Sequence, residues 1–204
     1  MGVPNAIRGT AAALVACAIA FVLVTAASAR VPQYGPPVPA NPFKHPHRYI
    51  NPFKNSAWGP ARTDMGVDWI PAHKLPVLAI GDAVILGSDS HAHWEGHHII
   101  WYQLLDGSHA GDIIYVAEHL RKLLPAGRFV RAGQRIATAL PGYPWTEWGW
   151  ATSYGSPVAY PCYDVDGKQT RAGKEMARFM MSLGAHVYNR PGRGPRAPQG
   201  GRCA

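Results

Sequence analysis

Cysteine is scarce in this chain, with three in 204 residues, so no dense disulfide framework is available to replace a hydrophobic core. Acidic side chains are also few, 12 against 20 lysines and arginines, giving a net charge of +8. No nucleic-acid-binding motif accompanies that charge, and four of the arginines (Arg190, Arg193, Arg196, Arg202) sit in a Pro/Gly-rich tail. A positive exported protein is drawn to anionic wall polymers or lipid head groups, and a merely solvated surface is the alternative. Beyond the first 29 residues no apolar stretch approaches the length of a membrane span. What is abundant is 19 prolines, 22 glycines and seven tryptophans, the composition of a loop-rich β protein and not of a helix bundle.

The N-terminus carries Arg8, an apolar run over residues 10–27 and Ala27-Ser28-Ala29, a small-residue cleavage pattern. Residues 1–29 are therefore expected to be a signal peptide, with a secreted or cell-envelope product beginning at Arg30. Two alternatives stay open: an uncleaved membrane anchor, and a lipoprotein modified at Cys17 in Leu14-Val15-Ala16-Cys17. Removing the leader leaves Cys162 and Cys203, an even pair in an oxidising compartment. A bridge between them would contribute about 4 kcal/mol in the chain-entropy treatment.

Residues 30–60 read as a Pro-rich extended arm, with Asn41-Pro42-Phe43-Lys44 echoed by Asn51-Pro52-Phe53-Lys54. The arm's phenylalanines are expected on the edge of a β domain over residues 61–160. Its core is expected to start near Gly66. Val77–Leu86 is β-branched and interrupted at Gly81-Asp82, and Ile99–Leu105 ends at Asp106-Gly107. Ile113–Val116 should pair antiparallel with the latter. Phe129-Val130 and Ile136–Leu140 flank Ala132-Gly133 as a further hairpin, and Trp148–Thr152 is the last core strand. Residues 161–189 form a helical extension: Met176, Phe179, Met180 and Leu183 share one helical face, stopped by Gly184. Residues 190–204 are a tail. The expected class is mainly β, an antiparallel sandwich or partly open barrel with one C-terminal helix.

One run carries chemical information: Arg62-Thr63-Asp64-Met65-Gly66-Val67-Asp68-Trp69. It resembles the Arg-x-His-x-Gly-x-Asp motif of the lysostaphin-type zinc peptidoglycan endopeptidases, with Asp64 where that family has its histidine. Leu75–Val84 and Gly127–Ala137 resemble two further strand motifs of the same family, so the likeness covers residues 60–155. It implies the lysostaphin-like β fold and a metal position at Asp64 and Asp68. In the family the third ligand is the second histidine of a His-x-His on the last core strand. The matching positions here are Glu147, in Trp145-Thr146-Glu147-Trp148-Gly149-Trp150, and Gly149, which has no donor. His119, in Tyr115-Val116-Ala117-Glu118-His119-Leu120, matches the auxiliary histidine. His119 and Glu147 are thus vestigial catalytic candidates. A site of carboxylates holds zinc poorly, so no cofactor is expected, with zinc or a hard divalent cation as the alternative.

The aromatic residues of these segments suit ligand binding. Trp69, Tyr143, Trp145 and Glu147 are expected to wall a groove that takes a cell-wall glycopeptide or an envelope protein, with Tyr143 and Trp145 the more exposed pair. Trp148 and Trp150 share one strand face, of which part must be core. The cluster His91-Ala92-His93-Trp94-Glu95-Gly96-His97-His98 has spacing that can hold a metal, against the ordinary reading of polar loop histidines. No nucleic-acid partner is expected, and the membrane is met only through the N-terminal segment.

Overall fold

Strict alternation along the strand Val67–Pro71 sends Val67 and Trp69 to one side and Asp68 to the other, and that division runs through the whole sheet. A computed structural model describes residues 35–187, apart from 45, 47, 55, 56 and 95. The expected leader, the tail and Cys203 lie outside the described residues.

The strands are β1 (Trp58–Thr63), β2 (Val67–Pro71), β3 (Leu75–Leu78), β4 (Ala83–Asp89), β5 (His98–Leu104), β6 (Ile113–Glu118), β7 (Leu120–Arg121), β8 (Phe129–Val130), β9 (Arg135–Ala139) and β10 (Thr146–Trp150), followed by helix α1 (Arg171–Ser182). Seven strands form one sheet in the order β1-β2-β10-β6-β5-β4-β8, and β3-β9-β7 form a second. All the pairings are antiparallel, so the architecture is mainly β with one helix, and neither sheet closes into a barrel. No helix among the described residues is long and apolar enough to cross a membrane.

The main core lies between the sheets. Val67, Trp69, Ile85, Ile100, Tyr102, Ile114, Val116 and Trp148 meet Val77, Leu120, Ile136 and Ala139 there. Helix α1 adds Met176, Phe179 and Met180 from the face that the spacing predicts. Thr170 caps it, its hydroxyl accepting from Gly173 N at 3.0 Å. Leu183 packs against the core only in part, and Gly184 ends the helix with φ of 83°.

Four expectations need correction. The sheet starts at Trp58, before Gly66, because Trp58 and Pro60 pair with Pro71 and Trp69 across a two-strand ladder. Phe129-Val130 and Arg135–Ala139 do not pair with each other: the turn at Ala132-Gly133 carries the chain from one sheet to the other, β8 joining β4 and β9 joining β3 and β7. Phe53 is not an edge residue but part of the core, stacked on Trp69 with ring centroids 3.6 Å apart, whereas Phe43 lies under the Arg131 guanidinium. Trp69 is therefore buried beneath Phe53 and offers no face to a groove.

Candidate functional site: a buried carboxylate cluster held by an arginine

The second face of the large sheet carries the chemistry. Antiparallel register sets Glu147 of β10 opposite Asp68 of β2 and Ala117 of β6, and Gly149 opposite Tyr115. Asp64 lies in the turn between β1 and β2, its carbonyl fixed by the Thr170 N–H and hydroxyl, both at 2.9 Å. Asp64, Asp68 and Glu147 bring one carboxylate oxygen each to within 4.8 Å of one another, and all three side chains are buried. Segments some 80 residues apart in the chain thus deliver the residues named by the sequence motif to one point. No histidine joins the group among the described residues.

An arginine and two tyrosines close the cluster. Arg62 Nε lies 2.6 Å from Asp68 Oδ2 and 3.0 Å from Asp64 Oδ2, and its Nη1 reaches the exposed Asp166 at 3.2 Å. Tyr163 donates its hydroxyl within 2.9 Å of both Asp64 Oδ2 and Asp166 Oδ1, and the Met65 N–H donates to Asp64 Oδ1 at 2.6 Å. The Tyr115 hydroxyl donates to Glu147 Oε1. One oxygen of the set, Asp68 Oδ1, is buried with no hydrogen-bond partner.

Charge explains the titration. Burial, then the neighbouring Asp64 charge, pushes Asp68 up to about 8 despite Arg62 beside it. Glu147 is raised well above the ordinary carboxylate range by burial, then by Asp64, Asp68 and Glu118. Asp64 is raised by burial, with Arg62 opposing. Burial alone would lower Arg62, yet the charges of Asp64 and Asp68 hold it above its usual range. Burial and the Glu147 charge do the same for the Tyr115 phenol. Three acids facing one guanidinium are two positive charges short of balance, and the upward shift of all three favours holding protons in the cluster. A carboxyl proton retained in the cluster and shared between Glu147 and Asp68 would give Asp68 Oδ1 the donor it lacks.

These residues do not fit a zinc ion. Zinc sites in proteins combine nitrogen or sulfur ligands, and here every donor is a carboxylate. Both Asp64 oxygens, Asp68 Oδ2 and Glu147 Oε1 are already engaged by Arg62, Tyr115, Tyr163 and the Met65 amide. Gly149 is closely approached from across the ladder: a Cβ there would clash with the edge of the Tyr115 ring. Gly149→Ala is expected to destabilise the fold by about 1–3 kcal/mol through overpacking, read as a lowered urea midpoint with unchanged slope. For the same reason a histidine at 149 has no room beside Tyr115.

The remaining candidates separate. His119 sits between β6 and β7, outside the group, with its buried Nδ1 unpartnered. Glu147 is only 1% exposed and lies beneath Tyr115, so it is part of the cluster and not a groove wall. Tyr143 and Trp145 are the accessible pair, the first 62% exposed and the second half-buried, with ring centroids 5.9 Å apart and edge to face. Trp148 is core, while Trp150 packs on His109 and Phe179. The histidine loop is not gathered into a site. His97 and His98 turn their Nδ1 atoms to the carbonyls of Ala92 and Gly96, and Arg121 approaches His98 Nε2 at 2.9 Å. Trp94 of that loop lies over Tyr115 and donates to Glu118. Cys162 closes a short 3-10 turn, and its expected partner Cys203 lies outside the described residues.

Sequence reasoning gave no role to Arg62, Tyr115, Tyr163 or Asp166, and weighed Glu118 only as the alternative to His119. Two of them had a signal. Arg62 and Asp64 are i, i+2 at the end of an extended strand, hence on one face, and the glycine at 149 marks a place where another group approaches closely.

No family model and no curated protein matches this chain. Solved structures with similar architecture include the NMR solution structure of lysostaphin, at 19% identity and a TM-score of 0.48, over 73% of this chain and 61% of that one. Another is the antimicrobial peptidase lysostaphin from Staphylococcus simulans, at 17% identity and a TM-score of 0.45, over 76% of this chain and 61% of that one. The chain therefore spans less than two thirds of the length of these proteins.

Proposed function

We propose that this chain is an exported, non-hydrolytic lysostaphin-like domain that acts at the cell envelope by binding wall material or an envelope protein. The observation that carries the reading is the convergence of Asp64, Asp68 and Glu147 at one point with the Arg62 guanidinium between two of them. The convergence is what the resemblance to the endopeptidase motif requires of its scaffold. Arg62 and protons held by the raised carboxyls are what would balance the cluster's charge without an ion, with Tyr115 and Tyr163 adding hydrogen bonds. Hydrolysis of a peptide bond at such a site needs an activated water and an electrophile for the scissile carbonyl, and no group in the cluster supplies the second.

A second reading, a wall metallohydrolase using a carboxylate site and a hard divalent cation, draws on one observation, the unpartnered Asp68 Oδ1. A Cys162–Cys203 bridge and secretion behind the N-terminal segment belong to the proposal. The experiment is a pull-down with purified sacculi at neutral pH, with and without chelator. Binding without release of soluble fragments is the expected outcome. Fragment release that chelator abolishes would establish the second reading, and absence of both binding and release removes wall material as the partner.

A further inference from the structure

The loop before β10 and the cluster beneath it share one residue, Arg62. Its guanidinium lies over the Trp145 ring, 5.7 Å from the centroid, while its other contacts are Asp64, Asp68 and Asp166. Trp145 in turn meets Tyr143 edge to face. The strip therefore runs from an exposed phenol through an indole and a guanidinium held in place to the carboxylate of Asp166, whose side chain is 79% exposed.

Each component favours one kind of ligand. Two aromatic rings set at right angles present apolar area to a rigid, flat molecule at little conformational cost. Asp166 and the Nη groups of Arg62 border the rings with acceptors and donors. The charge of Arg62 is balanced by Asp64 and Asp68 behind it, so the strip does not present a free cation, and the exposed Asp166 repels anions. A pyranose has an apolar C–H face ringed by hydroxyls and, when uncharged, matches this surface. A phosphate-rich polymer does not, although the net charge of +8 would draw one to other parts of the chain.

Resting on the envelope-binding reading, we infer that Tyr143, Trp145, Arg62 and Asp166 form a subsite for one uncharged pyranose unit of a glycan strand. The sugar stacks on the aromatic pair, and its rim hydroxyls donate to Asp166 and accept from Arg62.

The test uses the full chain with three probes: chitohexaose, a pentaglycine peptide and a poly(glycerol phosphate). Calorimetry and tryptophan fluorescence read binding of each. Chitohexaose is expected to bind with a change in indole emission. Its affinity should fall tenfold or more in Trp145→Ala, several-fold in Tyr143→Ala and Asp166→Asn, and not at all in Tyr154→Ala, a ring 87% exposed outside the strip. Near-ultraviolet circular dichroism on each variant separates lost binding from lost folding. Binding confined to pentaglycine or to the phosphate polymer overturns the inference, as does chitohexaose affinity unchanged in Trp145→Ala, or no binding of any probe. Sacculus binding that persists alongside such a result leaves the envelope reading intact and removes only this subsite. Chitohexaose binding without sacculus binding does the reverse.

Discussion

Arg62→Met is expected to be the most damaging single substitution in the described fold, costing about 3–5 kcal/mol at neutral pH. Among the described residues the guanidinium is the one cation paired with the buried Asp64 and Asp68, and the replacement keeps a side chain of similar length while deleting the charge. The loss comes less from broken attraction than from what is left behind, acids in a dry environment with no counter-charge. Two dependencies distinguish this from ordinary core damage. The deficit should shrink as pH is lowered, because protons take over the arginine's role. It should also shrink on adding millimolar Ca²⁺ or Mn²⁺, since removing the resident cation exposes an all-oxygen donor set to hard ions. The parent chain should show neither response to added metal. Thermal melts of both proteins across pH, with and without metal, decide the matter. A parent whose melting temperature climbs steeply with Mn²⁺ would mean that the cluster is a metal site with the arginine as bystander.

That dependence on one arginine explains which parts of the site were legible in the sequence. The resemblance of Arg62–Asp68 and Trp145–Trp150 to the endopeptidase motifs named the residues that converge, and the register of β2 with β10 sets Glu147 opposite Asp68. The helix was legible for the same kind of reason: Met176, Phe179 and Met180 repeat at the helical period and all three are buried. Sheet membership was not. Phe129-Val130 and Arg135–Ala139 look like the arms of a hairpin, since only a short glycine turn separates them, and a local signal cannot tell a hairpin from a crossing between sheets. Trp69 misled in another way. It was expected in the groove wall, but alternation turns it to the side opposite Asp68, and its burial there depends on Phe53 from the Pro-rich arm, a contact with no sequence period behind it. Tyr163 is the extreme case: it reaches Asp64 from 99 residues away and from an irregular segment.

Stability should fall as pH rises from about 4 to 8 and beyond, and Glu147→Gln should flatten that fall. The sign follows from where the protons are. Asp68 titrates near 8 in the folded chain, and burial raises Glu147 and Asp64 as well, whereas in the unfolded chain carboxylates titrate at about 4. Between those limits the folded state holds more protons, so stability drops with increasing pH, by about 1.4 kcal/mol per pH unit for each excess proton. The contribution is complete below the unfolded value and is lost as pH passes the folded one. For a chain of this size each kcal/mol moves the melting temperature by about 2–4 °C, so the trend is measurable over a few pH units. Glutamine at 147 is neutral at every pH, and its amide oxygen still accepts from the Tyr115 hydroxyl. Its amide hydrogens can serve the unpartnered Asp68 Oδ1 where a shared proton did so before. The variant should therefore match the parent at pH 5 and exceed it at pH 8–9 by about 1–3 kcal/mol, the cost of leaving a buried acid unsatisfied. Destabilisation at both pH values would mean that Glu147 is needed as an anion, and the proton-sharing account of the cluster would then fail.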